Sequence, residues 1–161
     1  MLSNKDFKNI IKNTNLFAFD LIVKNNNNEV LLAKRNNKPA QGMYFVPGGR
    51  VFKNENLNNA FNRILNQEIG LKISDFKNIF HKGLYNHIYN DNVFGDTSFN
   101  THYIVYAIEL QLKKNINIFL DNQHNDYKFI NIKDLLMDAN VHQYVKNYFI
   151  DNPNNKFNIV L

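Results

Sequence analysis

A chain of 161 residues with 44% hydrophobic and 14% aromatic content has the length and apolar mass for one compact domain, which excludes a disordered polymer. Without cysteine it has neither a disulfide framework nor a thiolate metal site, and its net charge of +5 comes from scattered lysines, not from the basic stripe of a nucleic-acid binder. The start, Met1 to Phe7, lacks the apolar core of a signal peptide, and no apolar run is long enough for a bilayer. The expectation is a soluble, cytoplasmic protein with neither nucleic acid nor membrane as partner.

In chain order, residues 3–13 place Phe7, Ile10 and Ile11 at helical spacing behind Ser3 as N-cap, predicting a short amphipathic helix. Residues 16–23 are a strand-like apolar run with one acid, Asp20, in its middle. An acid there costs several kcal/mol unless it has a partner, and Arg35 on the next strand is one candidate. Asparagine makes up roughly a fifth of the chain, so the run Asn25 to Asn28 is read as a turn and not as a motif. Residues 29–35 return as the second strand of a hairpin, and 43–46 form a short strand leading into Pro47-Gly48-Gly49.

Leu57, Ala60, Phe61, Ile64 and Leu65 recur on one helical face, predicting a helix over 55–69 with Gly70 at its C-terminal stop. Strands are expected at 78–89, 101–112 and 126–131, and helices at 132–138 and 141–150. The polar segment 90–100 reads as a long loop of functional type. With no linker or repeat, the whole of 1–161 is one α/β (α+β) domain.

The chemistry concentrates at Gly48-Gly49-Arg50 and the helix behind it. Two glycines let backbone groups approach an ion or a phosphate closely. Arg63 and Glu68 are expected on the polar side of the helix, opposite the Leu57/Phe61/Leu65 stripe. A carboxylate there suits a hard cation such as magnesium beside a diphosphate.

This stretch resembles the Nudix box: counted from Gly49, the positions Glu55, Arg63, Leu65, Glu68, Gly70 and Leu71 match. Ile64 and Gln67 stand where the box carries two further acids, which argues against ordinary phosphoanhydride cleavage with several metals. The GDP-mannose mannosyl hydrolases are the Nudix branch without those acids. The resemblance to them covers nearly the whole chain, through Lys38-Pro39-Ala40-Gln41-Gly42, Asn86-His87-Ile88-Tyr89, Thr101-His102-Tyr103 and Gln123-His124-Asn125-Asp126-Tyr127.

That resemblance implies a Nudix fold, a mixed β-sheet sandwiched between helices. It implies a homodimer and a GDP-sugar substrate, with magnesium (or manganese in its place) held by the Gly48 carbonyl, Glu68 and Gln123. His124 is then the general base, Arg35 and Arg50 neutralise the departing diphosphate, and Asp20, His87 and Tyr103 belong to the substrate site. The resemblance further implies that water attacks the anomeric carbon, and at such a centre leaving-group stabilisation matters as much as nucleophile activation.

Plainer roles stand beside these. Arg63 either pairs with Glu68 or braces the loop; Glu55 is a first-turn acid outside the metal site; His102 and His142 are structural; Tyr103 suits a core position equally well. Two other functions remain open at this point: a Nudix pyrophosphatase attacking phosphorus, and a binding module on the same scaffold.

Overall fold

The structure, a computed structural model, describes residues 2–116, 118, 124–151 and 153–158, of which 124 and 125 by backbone alone. The elements in order are α1 (Asn4–Asn13), β1 (Leu16–Lys24), β2 (Val30–Arg35), β3 (Tyr44–Phe45), β4 (Gly48–Arg50) and α2 (Leu57–Ile69). A short 3-10 turn (Ile73–Asp75) leads into β5 (Phe76–Tyr89), β6 (Thr101–Leu112), β7 (His124–Ile130), α3 (Ile132–Met137) and α4 (Gln143–Lys146). Among the described residues no helix is long and apolar enough to cross a membrane.

The local chemistry explains most boundaries. Ser3 accepts the Asp6 N–H at 3.1 Å and starts α1. Asn25 accepts the Asn27 and Glu29 N–H groups and closes the hairpin, while Asn28 takes φ 60°, a left-handed conformation asparagine tolerates. Asn56 caps α2 by accepting the Asn58 N–H at 2.9 Å, and Gly70 ends it at φ 69°. The expected C-terminal helix of 141–150 is shorter: His142 caps α4 through its ring nitrogen, and the helix ends at Lys146.

One mixed sheet runs β3-β2-β1-β6-β5, with β4 added to β1 and β7 to β2. β1 lies parallel to β6 along its whole length, from Leu16↔Tyr103 to Lys24↔Gln111. Its other edge is divided: β2 meets it at Lys24↔Val30, and β4 pairs antiparallel with Ala18 to Asp20. The sheet therefore forks between β1 and β2, and the cavity described below opens at that fork.

Successive side chains of β1 point to opposite faces. Phe19, Leu21 and Val23 pack with Ala60, Phe61, Ile64, Leu65 and Ile69 of α2. Ala18 and Ile22 pack on the other face with Leu135, Val145 and Tyr148 from the C-terminal helices and the turn after them. Helices thus cover both faces, and Asp20 falls on the C-terminal side. The stripe on α2 departs from expectation at one point: Leu57 is 53% exposed, because the packed part of the helix begins at Ala60.

Candidate active site

A cavity of about 330 Å³ lies at the fork, lined by Asp20 of β1, Arg35 of β2, Gly48 to Arg50 of β4, Glu68 of α2, and His87 and Tyr103 of β5 and β6. That volume suits a small organic ligand. Glycine is required at β4 by contact, not by backbone angle. A Cβ on Gly48 would lie 2.5 Å from the Phe19 carbonyl oxygen and 2.6 Å from Asp20 Oδ1; one on Gly49 would lie 3.0 Å from Ile64 Cγ1.

Three guanidiniums line the cavity, and their partners separate their roles. Arg63 donates to both oxygens of Glu55, at 2.6 and 2.8 Å, and to the Arg50 carbonyl at 2.9 Å. Its forked pair holds the Glu55 carboxyl down at about 2. Arg63 thus braces the loop through Glu55, with the Glu68 charge also near it, and Glu55 lies ahead of α2 instead of in its first turn. Arg35 donates to the Pro39 carbonyl at 2.9 Å. Arg50 sits 4.0 Å from the Phe7 ring centre and 5.4 Å from that of Phe52. Neither Arg35 nor Arg50 has an ion pair among the described residues, and burial with the like charge of Arg63 lowers the Arg50 pKa.

A buried polar chain lies beside them. Tyr148 donates to Asp20 Oδ2 at 2.5 Å, and its oxygen lies 3.3 Å from His87 Nε2. Burial raises the Asp20 carboxyl to about 7 in spite of that bond and the nearby Arg35. Burial, with His142 nearby, drops His87 to about 3, so its ring is neutral near pH 7. His87 stacks on Tyr144 at 4.2 Å between ring centres. The Tyr103 phenol is likewise pushed upward by burial, against the pull of Arg35 and Arg50.

Two oxygen donors for a cation meet at the cavity. The Leu21 N–H donates to the Pro47 carbonyl at 2.8 Å and the Val51 N–H to the Phe17 carbonyl at 2.9 Å. Asp20↔Gly48 is one of the two unbonded pairs between them, so the Gly48 carbonyl turns away from β1. Glu68, on the polar side of the helix, is only 8% exposed and lines the cavity. Among the described residues no three His, Asp or Glu side chains form a metal cluster. A carboxylate and a backbone carbonyl fit magnesium, which keeps several waters and takes its remaining oxygens from substrate phosphates.

Of the residues singled out in the sequence, Asp20, Arg35, Gly48, Arg50, Glu68, His87 and Tyr103 surround one cavity. Gln123 lies outside the described residues, and His124 is described by its backbone alone, paired opposite Arg35. His102 and His142 have structural contacts: His102 bonds Asn86, and His142 caps α4. Sequence reasoning missed Tyr148 as the partner of Asp20, and Phe7 and Tyr89 on the cavity wall. For Tyr148 the signal was half present, since a buried acid demands a partner but does not say which.

A mixed sheet between helices, with guanidiniums and a buried carboxylate at its fork, defines an α+β protein built around a small-molecule site. Comparison with known families matches the NUDIX domain over residues 14–150, and the chain belongs to that family. It is 34% identical over 128 residues to the low-salt glycan biosynthesis protein Agl8 of Haloferax volcanii, covering 79% of this chain and 78% of that one. Its fold is similar to the MutT protein from Methanosarcina mazei Go1, with a TM-score of 0.63 and 20% identity over 83% of this chain and 89% of that one. It is similar also to a MutT NUDIX hydrolase from Burkholderia pseudomallei, with a TM-score of 0.66 and 16% identity over 84% and 95%. Family membership supports a hydrolase acting on a nucleotide derivative.

Proposed function

We propose that this protein hydrolyses a GDP-sugar, with GDP-mannose as the leading candidate, by attack of water at the anomeric carbon. The observation that carries this reading is the fate of the acid positions in the box. Ile64 is buried in the core against Gly49, Gln67 accepts from Arg63 at 3.1 Å, and Glu55 is held by Arg63. Glu68 is thereby the carboxylate of the box that lines the cavity. One such ligand suits an ion that steadies a leaving diphosphate better than a multi-metal site that activates water at phosphorus. The likeness to a protein named for glycan biosynthesis points toward a sugar-bearing substrate.

In this reading the Gly48 carbonyl, Glu68 and Gln123 would hold magnesium, which would offset charge on the diphosphate. Arg35 and Arg50 bind the phosphate oxygens, with donors suited to bidentate contact. Asp20, His87 and Tyr103 orient the sugar. His124 takes the proton of the attacking water; the bond between the anomeric carbon and the bridging oxygen breaks, GDP leaves with the electron pair, and the sugar is released inverted.

The test is turnover of GDP-mannose with magnesium in heavy-oxygen water. Label on the free sugar with unlabelled GDP supports the proposal. Label on phosphate, with GMP and mannose 1-phosphate as products, identifies a phosphorus-attacking pyrophosphatase instead. Binding without turnover of any GDP-sugar identifies a binding module. Glu68→Gln should raise the magnesium needed for half-maximal turnover by roughly ten-fold or more.

A further inference from the structure

The helix α1 precedes the segment 14–150 that the family match covers, yet it supplies part of the cavity wall through Phe7. Three contacts seat it there. Ile11 is buried, Lys8 pairs with Asp96 at 2.6 Å, and the Phe7 ring meets Phe94 edge-on with centres 5.9 Å apart. Asp96 and Phe94 belong to the 90–100 loop, which Asn92 organises from inside by donating to the Asp96 and Phe99 carbonyls. The ring of Phe7 is therefore fixed from two sides.

What it faces is Arg50. Among the described residues the Arg50 guanidinium has neither a hydrogen bond nor an ion pair, and its neighbour Arg63 carries the same charge. Left to itself such a side chain samples many rotamers. The Phe7 ring at 4.0 Å, with Phe52 at 5.4 Å, is what restricts it.

We propose that Phe7 is a positioning residue for Arg50, holding the guanidinium at the cavity wall with its N–H donors left for a diphosphate. This rests on the reading that the cavity takes a nucleoside diphosphate group. An aromatic face restrains a planar cation without competing for its donors, which a carboxylate in the same place would do. The family domain then depends on an appended helix to order one of its anion-binding groups.

The test is calorimetric binding of inorganic pyrophosphate with magnesium to the full chain and its variants. Phe7→Leu should weaken binding roughly five-fold, and Phe7→Tyr should stay within about two-fold of wild type. In an Arg50→Gln background, Phe7→Leu should change binding by less than about two-fold, since the effect runs through Arg50. A second measurement needs no variant at Phe7: the Arg50 Nε proton, assigned by its loss in Arg50→Gln, should resonate upfield under the Phe7 ring. Wild-type affinity in Phe7→Leu, an equal loss in the Arg50→Gln background, an unshifted Arg50 proton, or no pyrophosphate binding by wild type would each overturn the proposal. Pyrophosphate binding with this coupling but no turnover of any GDP-sugar would sink the proposed function and leave this inference standing.

Discussion

The hydroxyl of Tyr148 donates to Asp20 at 2.5 Å across 128 positions of sequence, tying the turn after α4 to the middle of β1. Tyr148→Phe keeps the ring and deletes the donor, leaving a buried carboxyl short of a partner. Stability should fall by about 1–3 kcal/mol in urea unfolding. The lost bond was lowering the Asp20 pKa, so a carboxyl carbon NMR titration of Tyr148→Phe should find Asp20 titrating higher than in wild type. An unchanged titration would mean that the bond does not form in solution.

His87 and Asp20 give stability opposite slopes with pH. His87 titrates at about 3 in the fold against 6.5 ordinarily, so between those values the unfolded chain binds the extra proton. Its contribution is present above pH 6.5 and lost as pH falls toward 3. Asp20, raised from 3.8 to about 7, keeps its proton in the fold, and its contribution declines as pH rises through that window. Between about pH 7.5 and pH 5, His87→Phe should remove roughly 2 kcal/mol of acid destabilisation, read from urea midpoints. Asp20→Asn should instead flatten the decline toward neutral pH.

The two glycines of β4 should respond differently to alanine. At Gly49 the clash is with Ile64 Cγ1 at 3.0 Å, a side-chain atom, so Gly49→Ala should cost about 1–3 kcal/mol. In an Ile64→Ala background the added methyl enters vacated space and that cost should vanish. At Gly48 the clash is with the Phe19 carbonyl at 2.5 Å, so no side-chain change rescues Gly48→Ala. Thermal unfolding of the single and paired variants distinguishes the two cases.

The fork of Arg63 on Glu55 predicts a kinetic effect larger than its effect on stability. The pair is half-buried, and lysine in place of arginine keeps its charge, so the change in stability should be about 1 kcal/mol or less. Arg63 also holds the Arg50 carbonyl, however, and with it the loop beside the cavity. Arg63→Lys loses the fork and should lower kcat/KM by roughly ten-fold or more while the unfolding midpoint moves little. Equal loss of both would assign Arg63 a stability role alone.

What was legible in the sequence was local. Periodicity marked α2 and the strands, and Gly70 marked the helix end, because each signal lies within a few residues of what it specifies. The glycine pair and Glu68 were legible through their spacing. The helix register did not reveal that Glu68 is buried in the cavity wall, since that depends on where β4 lies against α2. Tyr148 on Asp20 and Phe7 on Arg50 were illegible for the same reason, as both are contacts between elements distant in the chain. Leu57 shows the limit of periodicity: the spacing assigns a face, and the length of the packed surface decides which turns reach it.

The alternation of side chains along β1 makes the protein two half-machines joined by one strand. Phe19 and Leu21 answer to the α2 layer, which carries Glu68; Asp20 answers to the opposite layer, with Tyr148 and His87. Away from the shared cavity, core substitutions in one layer meet the other through the backbone of β1, so their energetic effects should add. A protein built this way can change the packing of one layer while leaving the other in place.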